Sequence, residues 1–288
     1  MELWFTEEWL PGLRLSVQVE SIVFATRTAY QELAIYDTKQ LGRILTLDNV
    51  IQTTEKDEYI YHEMLVHVPL FAHPAPERVL IVGGGDGGSL REAMKHPEVK
   101  EAVLVDIDAG VVEASKRYLP QWNSGFKDPR ARVVIGDGLA FVREAQAEFD
   151  VIVVDSTDPV GPGESLFTED FYSSVKRALR PGGLMAAQTE NPILMPDVVR
   201  SIHQRMSQVF PSVKVYTAPM PTYPGGWWSF MCASLSPDQP VPERQPDPGW
   251  GLRYYSPGIH ARAFVLNPGL LKDLGIGCEE NRPQGRKD

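Results

Sequence analysis

Five aspartates, Asp86, Asp106, Asp137, Asp155 and Asp158, fall at or just beyond the ends of apolar runs. In doubly wound sheets ligands lie outside the carboxyl ends of the strands, so carboxylates at those ends are candidates for one site. Asp86 is the most informative. It stands in Arg78-Val79-Leu80-Ile81-Val82-Gly83-Gly84-Gly85-Asp86-Gly87-Gly88, a strand running into glycines that let a ligand approach backbone N–H groups. Dinucleotide sites put a pyrophosphate at the helix N-terminus that follows such a loop. A carboxylate there repels phosphate and attracts a sulfonium or an amine. At about 4 Å and an effective dielectric near 20, a unit charge pair is worth roughly 4 kcal/mol before desolvation, so the ligand's sign matters.

Asp106 ends the next apolar run, about 20 residues past the loop, where a carboxylate can accept both hydrogen bonds of a ribose diol; Asp108 suits the cap of the following helix. Asp137-Gly138 offers an acceptor and a backbone N–H to an adenine edge, although an N-cap has the same spacing. Asp155-Ser156-Thr157-Asp158-Pro159-Val160-Gly161-Pro162 pairs two carboxylates ahead of a Pro/Gly loop. One acid can hold an amine's charge while the other accepts its proton, and an Asx turn at Asp158-Pro159 is the plainer alternative. Tyr61-His62 on the first helix and the aromatic turn from Pro221 to Trp228 could wall a methylene chain. A lone helix histidine is more often structural, and clustered Trp and Tyr more often pack a core.

These residues need a frame. Residues 13–52 read as short alternating strands with a turn at Leu41-Gly42-Arg43, and we place a small β domain over residues 1–54. Thr54 and Asp57 resemble a capping box opening a helix through about Phe71. From Arg78 the pattern becomes continuous apolar strands alternating with helices, the signature of a parallel sheet covered on both faces. Two final strands, residues 213–217 and 229–234, make the sheet mixed, and the catalytic domain spans residues 55–235. Prolines at 237, 240, 242, 246 and 248 predict a stiff extended linker over residues 236–251. Residues 252–274 form a docking segment with a short helix, and residues 275–288 a disordered tail.

The 288 residues, 43% hydrophobic, can bury a full core. The net charge of −10 argues against a nucleic-acid partner. No apolar run suits a membrane span and the N-terminus lacks a signal-peptide pattern, so a cytoplasmic protein without membrane contact is expected. Cys232 and Cys278 form neither a metal-ligand spacing nor a disulfide framework, and no metal is expected.

Taken together, Glu55-Lys56-Asp57-Glu58-Tyr59-Ile60-Tyr61-His62-Glu63-Met64, the Gly83–Gly88 loop, Val105-Asp106-Ile107-Asp108, Val154-Asp155-Ser156-Thr157-Asp158-Pro159 and Pro221-Thr222-Tyr223-Pro224-Gly225-Gly226 resemble the spermidine synthases, polyamine aminopropyltransferases, from Leu3 to about Leu266. The resemblance implies an α/β fold, a Rossmann-like, methyltransferase-type seven-stranded mixed sheet behind a small N-terminal β domain. It implies aminopropyl transfer from decarboxylated S-adenosylmethionine, a co-substrate, to putrescine, with release of 5′-methylthioadenosine and no prosthetic group. By the same resemblance Gln31, Asp106, Asp137, Gly138 and Pro162 contact the donor's nucleoside, and Asp86 holds its aminopropyl nitrogen. Asp155 accepts the proton, and Tyr61, His62, Asp158, Gln188 and Tyr223 line the acceptor channel. Trp4 and the β domain resemble the part that forms a homodimer or homotetramer. The sequence around Trp227-Trp228 departs in detail from commoner versions. Agmatine, cadaverine or spermidine remain open as acceptors; methyl transfer to a small amine and a non-catalytic nucleoside-binding protein are the other readings.

Overall fold

The computed structural model describes residues 2–158, 161–236 and 240–277, with backbone alone at residues 161 and 162. The chain opens with five strands, β1 (Leu3–Leu10), β2 (Leu13–Arg27), β3 (Glu32–Thr38), β4 (Gly42–Leu47) and β5 (Val50–Thr54). They pair antiparallel in sequence order. β1 extends this sheet beyond the expected residues 13–52. Asp48 and Asn49, both at positive φ, make the two-residue turn between β4 and β5.

Next come α1 (Glu58–Ala72), β6 (Arg78–Gly83), α2 (Gly88–Met94), β7 (Glu101–Asp106), α3 (Ala109–Tyr118), β8 (Ala131–Ile135), α4 (Gly138–Glu144) and β9 (Phe149–Asp155). They are followed by α5 (Glu169–Ala178), β10 (Leu179–Gln188), α6 (Pro196–Val209), β11 (Ser212–Pro219) and β12 (Trp227–Ser234). The second sheet has the order β11-β12-β10-β9-β6-β7-β8. β10, β9, β6, β7 and β8 run parallel, while β12 is antiparallel to both β10 and β11. This is the expected seven-stranded mixed sheet.

The apolar runs are continuous because both faces are covered. Val79, Ile81, Leu104 and Val153 join one buried cluster with α1 and α2; Leu80, Val82, Val105 and Val154 join another with residues of α4, α5 and α6. The N-terminal sheet rests Leu33, Ile35, Leu45 and Leu47 on Val111 and Ala114 of α3 and on Trp122. The order reverses about β6, which neighbours β7 on one side and β9 on the other, and such a switch point opens a crevice at the strands' carboxyl ends.

The structure departs from expectation at three places. Thr54 does donate to Asp57 (2.7 Å), but no side chain caps α1. Asp57 instead accepts the backbone N–H of Thr222 (3.0 Å) and its hydroxyl. A buried loop amide with no other acceptor outcompetes a helix end. The proline-rich stretch, in turn, is tied down along its described part. Glu243 donates its N–H to Phe71 O (2.7 Å), Arg244 reaches Leu70 O (2.6 Å) and Glu98 (2.6 Å), and Trp250 stacks on Phe71. Two short helices follow where one was expected, α7 (Pro257–Ala263) and α8 (Pro268–Leu274). Ser256 and Asn267 cap them, each ahead of a first-turn proline. Cys278 and most of the expected tail, residues 278–288, lie outside the described residues. No described helix is long and apolar enough to cross a membrane.

Candidate active site

The carboxyl ends of β6 and β9 are joined by the glycine loop. Gly84 N–H donates to Asp155 O (2.7 Å), and a Cβ on Gly83, at φ +83°, would collide with that same carbonyl. The loop therefore fixes Asp86 against Asp155. His62, Asp86 and Asp155 bring their polar atoms within 4.8 Å of one another.

A cleft opens here between the two sheets. Gln31, Tyr61, Asp86, Asp106, Asp137, Gly138, Asp155, Asp158, Gln188 and Tyr223 all line it. Asp106 accepts from Gly85 N (2.9 Å) and Asp108 N (2.8 Å); burial pushes its carboxyl up to about 6 against those amides. Asp137 caps α4 through Oδ1 alone, taking Leu139 N and Ala140 N. The capping alternative is therefore realised, with Oδ2 left over. Gln31 donates to Asp108 (3.0 Å), which caps α3. Gln188 reaches from the end of β10 to Ser156 O (3.1 Å). The side chain of Pro162 is outside what is described.

His62 departs from the expected channel lining. It is buried beneath Gly88, where any Cβ would strike its ring, and it is absent from the cleft wall. Nδ1 pairs with Glu58 (2.7 Å) and Nε2 faces Asp86 at 3.5 Å. Burial alone would lower the imidazole, but Asp86 and Glu58 outweigh it and hold it well above its ordinary value. Burial likewise works to raise Glu58, yet His62 and Arg91 bring it to about 2. An imidazolium thus stands behind Asp86.

Asp155 accepts two hydroxyls, Tyr61 on Oδ1 (2.8 Å) and Ser89 on Oδ2 (2.6 Å). Burial and then Asp86 raise its carboxyl, while His62, Ser89 and Tyr61 oppose them. Farther along, Asp158 belongs to a second acidic group whose other members, Glu7 and Glu190, sequence reasoning missed. Glu7 of β1 turns inward, accepts Ile51 N (3.0 Å), and is pushed up to about 7 by burial, with Asp158 adding to the effect. Glu190, 3% exposed and at φ +85°, pairs with Asp158; burial and then Asp158 push it up to about 9, and burial raises Asp158 too. The pair keeps one proton through neutral pH. Period-two alternation over Phe5 and Glu7 was the available signal for Glu7. Nothing in the local pattern distinguishes Glu190.

Between the acidic groups the wall is aromatic. Tyr61, Tyr223 and Trp228 pack edge to face in sequence (5.8 and 4.7 Å between centroids), and Tyr223 donates to Gln52 O (2.5 Å). The cleft can accept cations at two places with an amphipathic wall between them, and it offers carboxylates and backbone N–H groups to a nucleoside.

Two family models match the chain: the spermine/spermidine synthase domain over residues 58–241, and the spermidine synthase tetramerisation domain over residues 3–55. A polyamine aminopropyltransferase of Thermoanaerobacter sp. (strain X514) is 49% identical over 274 residues, spanning 95% of this chain and 99% of that one. That of Desulforudis audaxviator is 47% identical over 275 residues, spanning 95% and 99%. A spermidine synthase solved with the transition-state analogue AdoDATO superposes with a TM-score of 0.90 at 42% identity, covering 95% of each chain. The spermidine synthase of Thermotoga maritima gives 0.88 at 40%, covering 96% of this chain and 95% of that one.

Proposed function

The chain belongs to the spermine/spermidine synthase family and is a polyamine aminopropyltransferase, and from that premise we propose that it transfers the aminopropyl group of decarboxylated S-adenosylmethionine to putrescine. The products are spermidine and 5′-methylthioadenosine. One observation supports this acceptor above the rest: Asp86 with Asp155, and Glu7 with Asp158, form two acidic groups in a single cleft whose wall includes Tyr61, Tyr223 and Trp228, and Glu190 pairs with Asp158. A diamine has two cationic ends and an apolar middle.

The donor arrives activated, because its sulfonium makes the adjacent methylene electrophilic and its leaving group is a neutral thioether. We assign the ribose diol to Asp106, the adenine edge to Asp137 and Gly138, and the aminopropyl nitrogen to Asp86. Gln31 steadies the nucleoside side of the cleft. An aliphatic amine with a pKa near 10 must lose a proton before or during attack. We assign that proton to Asp155. The amine's lone pair then forms the N–C bond as the C–S bond breaks, and the electron pair leaves on sulfur. Tyr61 donates to Asp155 and so orients it, while Asp158, Gln188, Tyr223 and Glu7 hold the distal end of the acceptor. His62 acts through Asp86, holding that carboxylate from behind.

Exposed Leu3, Trp4, Leu13 and Ile22 on the N-terminal sheet suit a contact between copies of the chain in a homodimer or homotetramer.

The test is direct. The protein is incubated with decarboxylated donor and, separately, putrescine, agmatine, cadaverine and spermidine, and the products are weighed by mass spectrometry. Putrescine is expected to be consumed fastest of the four, with spermidine as its product. Preferential consumption of another amine overturns the acceptor assignment.

A further inference from the structure

We infer that Ser89 is a positioning residue for the proton acceptor, clamping Asp155 Oδ2 from inside the protein while Tyr61 holds Oδ1 at the cleft wall. The inference rests on the reading of Asp155 as the group that takes the amine's proton.

Ser89 is fully buried and is not part of the cleft wall, so it cannot touch a substrate. Its hydroxyl lies 2.6 Å from Asp155 Oδ2, the shorter of the two bonds that carboxylate receives. It stands on the first turn of α2, one residue past Gly88 and three past Asp86. Thus one short segment carries both the carboxylate assigned to the donor's nitrogen and the hydroxyl that aims the base. The backbone of that segment is tied to β9 through Gly84 N–H and Asp155 O. A shift of α2 would move both functions together.

The groups facing Asp155 are Tyr61 and His62 from α1, Asp86 and Ser89 from the loop and α2, and Tyr223 from the turn after β11. Burial and Asp86 favour the protonated acid. Ser89, Tyr61 and His62 favour the carboxylate, the form that can accept a proton. Removing the Ser89 hydroxyl leaves Oδ2 without its donor in a buried place, where an unpaired charged oxygen is costly. The acid then holds its proton to higher pH, and the fraction of enzyme ready to accept one falls.

The experiment compares kcat against pH, with both substrates saturating, for the wild-type protein, Ser89→Ala, Ser89→Thr and Asp155→Asn. Ser89→Ala is expected to move the acid limb up by on the order of one pH unit, so that on the acid side of the limb kcat falls about tenfold. Activity should recover toward wild type at alkaline pH, with the donor KM unchanged within about twofold. Ser89→Thr, which keeps the hydroxyl, should restore the limb. An unmoved limb, a loss equal at every pH, or failure of threonine to restore it overturns the inference. Asp155→Asn separates the two readings: if it turns over normally, the assignment of Asp155 itself fails. If it is inactive while the Ser89→Ala limb stays in place, only the role of Ser89 fails.

Discussion

Replacing Glu190 by glutamine should flatten part of the protein's stability profile on the alkaline side. Glu190 is pushed up to about 9 from an ordinary 4.5, by burial and then by Asp158. Between those values the unfolded chain has released this proton and the folded chain still holds it. Stability therefore falls as pH rises, by about 1.4 kcal/mol per pH unit for one such group. Glu7, at about 7, and Asp106, at about 6, contribute with the same sign but are largely spent above their own values. His62, held well above its ordinary value, contributes with the same sign in this range. The difference between wild-type and variant slopes therefore isolates the proton held by the Glu190–Asp158 pair. Glutamine keeps the geometry, because its amide N–H can donate to Asp158 as the protonated acid does and its carbonyl can still accept Asn191 N–H. Urea unfolding of the apo protein, followed by circular dichroism between about pH 7.5 and 8.5, should show the wild type losing about 1.4 kcal/mol more than Glu190→Gln. For a chain of this length that equals about 2 °C in a thermal melt. Parallel slopes would refute the claim that the Glu190–Asp158 pair keeps a proton at neutral pH.

Asp86 should select the donor by charge. The wild type is expected to prefer decarboxylated over ordinary S-adenosylmethionine by about 100-fold, less than a bare carboxylate would give because His62 stands behind it. Asp86→Asn should narrow that gap, and equal wild-type affinities by calorimetry would count against the account. Asp57→Ala removes the acceptor for Thr222 N–H and hydroxyl. It should cost about 2–3 kcal/mol in a melt and raise the acceptor KM by loosening Tyr223; an unchanged KM would show that the aromatic turn is held by other contacts. Lysine at both Trp4 and Ile22, exposed on the N-terminal sheet, should lower the assembled mass in light scattering, and an unchanged mass would locate the contact elsewhere.

The catalytic sheet was readable wherever physics acts locally. Val79–Val82, Ala102–Val105 and Val151–Val154 are continuous apolar runs because both faces are covered, and covered parallel strands have no other pattern. The glycines after β6 announced a close backbone approach, and the aspartates at the strand ends do meet in one cleft. What escaped depends on distant partners. Thr54 and Asp57 have the spacing of a capping box, yet Asp57 serves a loop 165 residues away. His62 carries no mark that it lies under Gly88 rather than in the cleft. Glu7 reaches the site only because the N-terminal sheet lays β1 beside the catalytic domain, and Glu190 only because Ser229 N–H and hydroxyl hold its carbonyl in a left-handed turn. The proline-rich stretch reads as a spacer by composition, whereas Phe71 and Leu70 give it hydrogen-bond acceptors and a ring to stack on.

The tether of the proline-rich stretch and the helices after it has a consequence for the order of synthesis. Among the described residues, every side chain lining the cleft comes from positions up to Trp228. The two buried clusters are closed only later, one by Tyr255, Ala263 and Phe264 and the other by Leu266, Leu270, Leu271, Leu274 and Ile276. On a ribosome adding 5–20 residues per second, roughly 2–10 s separate the last reactive side chain from the last core residue. During that interval the nascent chain carries its complete chemistry on an unfinished interior. Substitutions in α7 and α8 should therefore change how much enzyme is recovered while leaving the turnover of each folded molecule as it was.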